Sequence, residues 1–241
     1  MKIAVISDIH GNLSALEKIA ESLKHEAVDK IVFLGDLIMT GPRPKEVFEL
    51  LSDMNPDVWI KGNSDDWLAE LPDFEPVSDL EKILKDMGLW ARDRINSRIE
   101  KELLSKPVST EKEYASQLFN FCHGTPYSHS HAILQESTSA FLESELSNIK
   151  ADKIVCGHTH LRFSMTFKDK LIKNFGAVSM PGKDFSRLAR YGIIHIADTV
   201  CFEDRECEYD FAAYIDDLKN LDYPGNFLIF PKYGLRVYSS T

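Results

Sequence analysis

The chain is short of the residues that staple, anchor or coat a protein in positive charge. Only four cysteines occur in 241 residues: Cys122, Cys156, Cys201 and Cys207. None forms a C-x-x-C pair, and no disulfide framework is legible. Cys122 and Cys156 lie in apolar runs and are expected as buried thiols. No apolar stretch approaches about 18 residues, so no membrane span is expected. The first apolar run after Lys2 is brief and passes straight into Ser7-Asp8, unlike a secretory leader. A reducing cytoplasm is the expected compartment. Basic residues are outnumbered, 28 against 38 acidic, for a net charge of −10. That deficit argues against an extended nucleic-acid surface or an anionic-membrane patch. It leaves room for an anionic substrate, because bound divalent cations would reverse the local sign. No internal repeat or low-complexity linker divides the chain, so residues 1–241 are expected to form one domain. A chain of this length buries about 70–75% of its unfolded surface without staples.

What is present is a set of apolar runs that each end in polar, chemistry-bearing residues. Ile3-Ala4-Val5-Ile6 leads to Asp8-Ile9-His10. Ile31-Val32-Phe33-Leu34 leads to Gly35-Asp36, and Val58-Trp59-Ile60 to Gly62-Asn63-Ser64-Asp65. Leu118-Phe119-Asn120-Phe121 leads to His123-Gly124, and Lys153-Ile154-Val155-Cys156 to Gly157-His158-Thr159-His160. Two imidazoles one residue apart in extended backbone point to the same side. Each offers a neutral nitrogen suited to a borderline divalent metal.

Taken in order, residues 2–7 read as a buried strand. Asn12 caps a helix whose apolar face is Leu13, Leu16, Ile19, Ala20 and Leu23. Residues 31–34 form the next strand. Pro44 opens a second helix, and 57–61 form a third strand. Strand–helix–strand alternation predicts parallel pairing with right-handed crossovers. Ligands then gather at the carboxyl ends of the strands, where Asp8, Asp36 and Asn63 sit. Residues 66–104 read as mostly helical, with a Ser78/Glu81 capping box and an interruption at Gly88. They are expected as an insertion, about 66–106, capping the site. A hairpin over 107–122 and a helix over 137–149 follow. Strands at 161–167, 171–174, 191–197 and 199–208 have hairpin spacing and predict a second, more antiparallel sheet. A short helix at 211–220 and an aromatic-rich tail close the chain.

Asp8, His10, Asp36, Asn63, His123, His158 and His160 supply two carboxylates, four imidazoles and one amide oxygen. That is too many ligands for one tetrahedral ion and suits two ions sharing a bridging carboxylate, for which Asp36 is the candidate. Nitrogen and oxygen donors without thiolate favour manganese, iron, zinc or nickel over calcium or magnesium.

These blocks together resemble the calcineurin-like metallophosphoesterase superfamily: Asp8-x-His10, Gly35-Asp36-x-x-x-x-Gly41, Gly62-Asn63-x-Asp65, His123-Gly124 and Gly157-His158-x-His160. The run Asn174–Pro181 is similar to the segment that follows the last block in the small bacterial and archaeal phosphodiesterase branch. The resemblance implies an α/β fold, a four-layer αββα sandwich of two mixed sheets flanked by helices. It implies that Asp8, His10, Asp36 and His160 hold one ion and that Asp36, Asn63, His123 and His158 hold the other, with manganese the first choice. It further implies attack on phosphorus by a hydroxide that the two ions generate near neutral pH. No covalent enzyme intermediate is required.

One departure stands out. Many superfamily members carry histidine directly after the asparagine, as a proton donor to the leaving group; here Ser64 follows Asn63. Asn63 and Asp65 are the candidate catalytic residues, with Asp65 orienting a water or a ligand histidine. Lack of a strong acid would suit aryl esters or nucleoside phosphates as substrates. Asn12 and Arg43 are candidate substrate contacts, although Asn12 is favoured as a helix cap. His129 and His131 could line substrate entry or hold an extra ion, but a solvated loop is favoured; Trp67, Trp90 and Tyr127 could stack on a nucleobase, but packing is favoured. The expected function is hydrolysis of phosphodiester or pyrophosphate-linked nucleotide substrates, with a small phosphorylated partner. The alternatives are a protein Ser/Thr phosphatase-like monoesterase, or an interaction module like the retromer subunit that shares this fold. Retention of all seven candidate ligands favours the enzyme.

Overall fold

Alternation in the first strand sets the layering. Ile3 and Val5 face one side and Ala4 and Ile6 the other, and all four are buried, so their sheet must be covered on both faces. The computed structural model, which describes residues 1–236, meets that demand with two sheets packed between helices. The elements run β1 (Lys2–Ile6), α1 (Leu13–Glu26), β2 (Lys30–Phe33), α2 (Pro44–Met54), β3 (Val58–Trp59), α3 (Asn63–Trp67), α4 (Asp79–Arg92) and α5 (Ser97–Leu104). They continue with β4 (Ser109–Tyr114), β5 (Gln117–Cys122), α6 (Ser139–Leu146), β6 (Lys153–Cys156), β7 (Arg162–Phe167) and β8 (Lys170–Phe175). The last are β9 (Leu188–Ile196), β10 (Val200–Glu208), α7 (Phe211–Asn220) and α8 (Asn226–Ile229).

The first sheet has the order β10-β9-β1-β2-β3, with β1, β2 and β3 parallel; the second is β4-β5-β6-β8-β7, with β5, β6 and β8 parallel. Between them lies a core of Ile3, Val5, Val32 and Leu34 against Phe119, Phe121, Val155 and Phe175. The outer face of the first sheet packs Ala4, Ile6 and Phe33 on Leu16, Val47 and Leu51 of α1 and α2. Leu142 and Leu146 of α6 cover Ile154 and Ile172 on the outside of the second. This is the αββα sandwich.

The structure corrects the placement of the C-terminal strands. β7 and β8 belong to the second sheet, but the β9–β10 hairpin joins the first, antiparallel to β1, with Lys2 opposite His195. The reason lies in β9 itself. Ile194 enters the inter-sheet core and Ile193 the outer one, so β9 needs cover on both faces. Gly88 does not interrupt α4. It is the point where the helix crosses Leu71, whose Cδ1 would lie 2.6 Å from an added Cβ. Ser78 caps α4 as expected, accepting from the Glu81 N–H at 3.2 Å, while Glu81 Oε2 accepts from Val77 N–H at 2.7 Å. Met87 of α4 packs with Tyr214, Leu218, Tyr223 and Tyr233, which ties the helical stretch to the C-terminal aromatics. Tyr238 and the end of the expected tail lie outside the described residues. Among the described residues no helix is long and apolar enough to cross a membrane.

Candidate metal centre

The carboxyl ends of both parallel triplets meet at one edge of the sandwich, and backbone pairing continues past the strands to lock the loop tips together. Asp8 N–H donates to Gly35 O at 3.0 Å, His10 N–H to Asp36 O at 3.0 Å, and Gly157 N–H to His123 O at 2.8 Å. Val178 and Ser179 donate to the carbonyls of Ser7 and Asp8. The approach is tight enough to demand glycine at Gly35, where φ is +98° and an added Cβ would sit 2.4 Å from Gly62 N. Five candidate ligands are themselves left-handed: Asp8, His10, Asp36, His158 and His160 have φ between 49° and 68°. Aspartate and histidine tolerate this conformation better than most residues, but for any residue other than glycine it still carries a cost, of order 1–3 kcal/mol at the upper end, and it concentrates at functional sites.

Three imidazoles are held by the same device. His10 Nδ1 bonds Met39 O, His123 Nδ1 bonds Leu34 O at 2.7 Å, and His160 Nδ1 bonds Met180 O. A carbonyl can only accept, so each Nδ1 carries a proton and each Nε2 is turned into the site, where a cation can take its lone pair in place of a proton. Those nitrogens converge. His10 Nε2 and His160 Nε2 lie 3.2 Å apart, with Asp8 Oδ1 3.3 Å from the latter. Asp8 Oδ1 is buried without a hydrogen-bond partner. Facing lone pairs beside an unpartnered carboxylate oxygen repel one another unless a proton or a cation lies between them. Asp36 Oδ2 sits 3.7 Å from His10 Nε2 and 3.5 Å from His123 Nε2, and Asn63 Oδ1 lies 3.1 Å from His123 Nε2. Two tight clusters result, Asp8–His10–His160 and Asp8–Asp36–His123, sharing Asp8. The donor set is all nitrogen and oxygen, which fits divalent transition metals.

The electrostatics agree with a site built for positive charge. Burial pushes the Asp8 carboxyl up, but His160 and His123 outweigh it and bring it down to about 2. Asp36, beside His123 and His10, is held far below the carboxylate range against its burial. Burial lowers His123, yet Asp36 lifts it to about 9. Burial keeps His10 and His158 below the usual imidazole value.

His158 stands apart from the two clusters. Its ring packs on His123 at 5.0 Å between centroids, and its backbone N–H donates to Asp8 Oδ2 at 3.2 Å. Asp65 is fully buried and accepts from the N–H groups of Asp36 (2.8 Å), Leu37 (2.9 Å) and Gly62 (3.0 Å). It therefore clamps the Asp36 loop tip and contacts neither a histidine nor the cavity; burial and nearby Asp36 raise its carboxyl to about 6. Asn12 is also fully buried. It caps α1 by accepting from Ala15 N–H and donates to Ser179 and Tyr209, which leaves no group for substrate. Arg43 is committed to Asp217 of α7, with Nε donating to Oδ2 at 2.8 Å, and does not line the cavity. Arg187 lies over Phe211, and Arg190 pairs with Asp184, both away from the site. Trp90 packs edge-on against Tyr223, Tyr127 is exposed, and Trp67 lines the cavity.

The cavity over the site has a volume of about 500 Å³. Met39, Trp67, Leu84 and Met180 make its apolar wall, and among the described residues no lysine or arginine lines it. His129, Ser130 and Asp66 also line it, which is the entry-lining place the sequence allowed for His129. His131 turns outward to Glu145. Two further supports escaped the sequence reading. Ser7 Oγ donates to Asp8 Oδ2 at 2.5 Å, and Asn174 Nδ2 donates to Gly157 O at 2.6 Å, holding the His158–His160 turn.

Comparisons with known proteins point the same way. Residues 1–199 match the family model described as the calcineurin-like phosphoesterase superfamily domain. A protein of Methanocaldococcus jannaschii is 30% identical over 176 residues, 73% of this chain and 69% of that one. The phosphodiesterase YfcE of Escherichia coli K12 is 30% identical over 87 residues, 32% of this chain and 47% of its own length. The crystal structure of a hypothetical protein from Pyrococcus horikoshii superposes with a TM-score of 0.79 at 19% identity, covering 92% of this chain and 94% of that one. At that identity the likeness speaks for the fold.

Proposed function

The chain belongs to the calcineurin-like phosphoesterase superfamily, and on that premise we propose that it hydrolyses phosphodiester or pyrophosphate-linked nucleotide substrates with two divalent ions held at the loop tips. Family membership supports phosphoesterase activity in general. The observation that carries the finer reading is the convergence of the Nε2 atoms of His10 and His160 on the partnerless Asp8 Oδ1, with Asp36 Oδ2 between His10 and His123. Asp8, His10, Asp36, Asn63, His123, His158 and His160 would hold the ions, manganese first among iron, zinc and nickel. Bound there, such ions acidify a water and draw charge from phosphoryl oxygens.

The chain's own residues supply orientation. Carbonyls of Met39, Leu34 and Met180 fix the imidazoles, and Asp65 fixes the Asp36 tip. The apolar wall of Met39, Trp67, Leu84 and Met180 offers a face to a nucleobase or aryl group. With no lysine or arginine among the described residues that line the cavity, a long polyphosphate would find few partners beyond the metal pair. A diester or a single pyrophosphate fits better. Residues 66–106 form part of this wall through Trp67 and Leu84, and we read them as a cap on the site. The reading is tested by purified protein against bis-p-nitrophenyl phosphate, p-nitrophenyl phosphate, cyclic nucleotides and dinucleoside polyphosphates, with Mn²⁺ and with chelator. Turnover of diesters that needs Mn²⁺ and falls about 10³-fold in Asp36→Asn is expected, the several kcal/mol a Lewis-acidic ion contributes. Turnover that survives exhaustive chelation would overturn it.

A further inference from the structure

Hydrolysis of an alkyl or weakly acidic aryl ester needs a proton on the departing oxygen. Ser64, which follows Asn63, lines the cavity but is 8% exposed, and its hydroxyl contacts the Met39 carbonyl at 3.5 Å, an acceptor that cannot return a proton to it. The cavity lining also carries a connected polar chain. Lys61 Nζ donates to Asp66 Oδ1 at 2.6 Å, His129 Nε2–H donates to Asp66 Oδ2 at 2.9 Å, and His129 Nδ1 lies 2.8 Å from Ser130 Oγ. Asp66, His129 and Ser130 all line the cavity that holds His10, Asp36 and His158.

The loop that presents His129 is held in place. Thr125 N–H donates to Ser128 O at 2.7 Å, and Ser128 Oγ accepts from the N–H groups of Ser130 and His131 at 3.1 and 3.2 Å. Gly124 lies so close beneath that an added Cβ would meet His131 O at 2.1 Å. Asp66 is fixed from both sides, since α3 begins at Asn63 and Lys61 precedes it.

We propose that Ser130, backed by His129 and Asp66, delivers the proton to the leaving-group oxygen. The proposal rests on the hydrolase reading above and names the proton donor for it. As the phosphorus–oxygen bond to the leaving group breaks, its electron pair stays on the departing oxygen. The Ser130 Oγ–H proton moves to that oxygen, and the proton on His129 Nδ1 moves to Ser130 Oγ. His129 ends neutral and regains its proton from solvent, and the attacking water gives its oxygen to phosphorus and a proton to solvent. Asp66 stays a carboxylate throughout: its partial burial raises it, but Lys61 and His129 hold it below the usual carboxylate value. It is a positioning residue, fixing Nε2–H so that Nδ1 faces the serine. The charged and titratable groups around His129 are Asp66 and, behind it, Lys61, with Glu70 on the same wall and Asp36, His10, His158 and His160 on the cavity floor.

The test uses the full-length protein with Mn²⁺ and a series of aryl methyl phosphodiesters, from p-nitrophenyl to unsubstituted phenyl. In Ser130→Ala and His129→Gln, kcat should fall increasingly as the leaving group worsens. The phenyl ester should lose about 10² more than the p-nitrophenyl ester, within the 10²–10⁴ that general acid catalysis contributes. Asp66→Asn should shift the leaving-group dependence the same way while leaving KM for the p-nitrophenyl ester in place. Thermal melts and Mn²⁺ binding matching wild type exclude a folding effect. Equal loss on every leaving group, or none on any, would overturn the relay while leaving the hydrolase standing. Wild type inert towards the whole series would overturn both.

Discussion

The two sheets contribute unlike halves to one site. From the tips of β1, β2 and the turn after β3 come both aspartates, the asparagine and one histidine; from the tips of β5 and β6 come three histidines. The first sheet brings the negative charge and the second most of the lone pairs. Neither can hold a divalent ion with the full donor set. The site exists because the apolar faces between them pack, so the function depends on a core that touches no ligand.

That contrast is open to attack in descending order of effect. Phe121 stacks on Phe119 at 5.6 Å in the inter-sheet core and lies two residues before His123. Phe121→Ala should cost about 3–5 kcal/mol of unfolding free energy and weaken metal binding as well, since it loosens one half against the other. Chemical denaturation with and without Mn²⁺ measures both. Next in size, Mn²⁺ at 100 times its Kd should stabilise the fold by about 2.7 kcal/mol, read as a rise in Tm that chelator reverses. The sign with pH follows from His123. Its folded value of about 9 lies above the usual 6.5, so in the metal-free protein its pairing with Asp36 stabilises below pH 6.5 and is lost as pH rises through 9. A metal must displace that proton, so affinity should rise about tenfold per pH unit between 7 and 9; calorimetry at three pH values checks it. A flat profile would mean that the two halves do not share charge as described. Smallest of all, Arg43→Ala breaks a half-exposed pair with Asp217 and should cost less than about 1 kcal/mol, with kcat/KM unchanged because Arg43 reaches neither half of the site.

Much of this was legible in the sequence because a buried parallel strand announces itself as an unbroken apolar run, and the polar residue ending it must lie at the strand's carboxyl end. That placed Asp8, Asp36, Asn63, His123 and His158–His160 at one edge. The β9–β10 hairpin was misplaced because hairpin spacing says that two strands pair and nothing about which sheet edge takes them; that is decided by the cover Ile193 and Ile194 each need. His129 could not be singled out from a solvated loop because its partner Asp66 is 63 residues away in the chain, and a histidine in a Ser-rich stretch carries no periodic signal. Arg43 looked available for the same reason: Asp217 lies 174 residues on. Asp65 was seen as polar and near the ligands, but only the fold reveals that its three acceptor contacts are to backbone amides.

The left-handed backbones at Asp8, His10, Asp36, His158 and His160 have a consequence for how such a chain ages. Glycine occupies that conformation without penalty, so at each of these positions the most comfortable residue is one that cannot bind anything. Relaxed selection would let the loop tips drift toward glycine, gaining stability as they shed chemistry. A homologue with glycine at several of these five positions and the same sandwich would be a retired enzyme, sturdier than its working relatives.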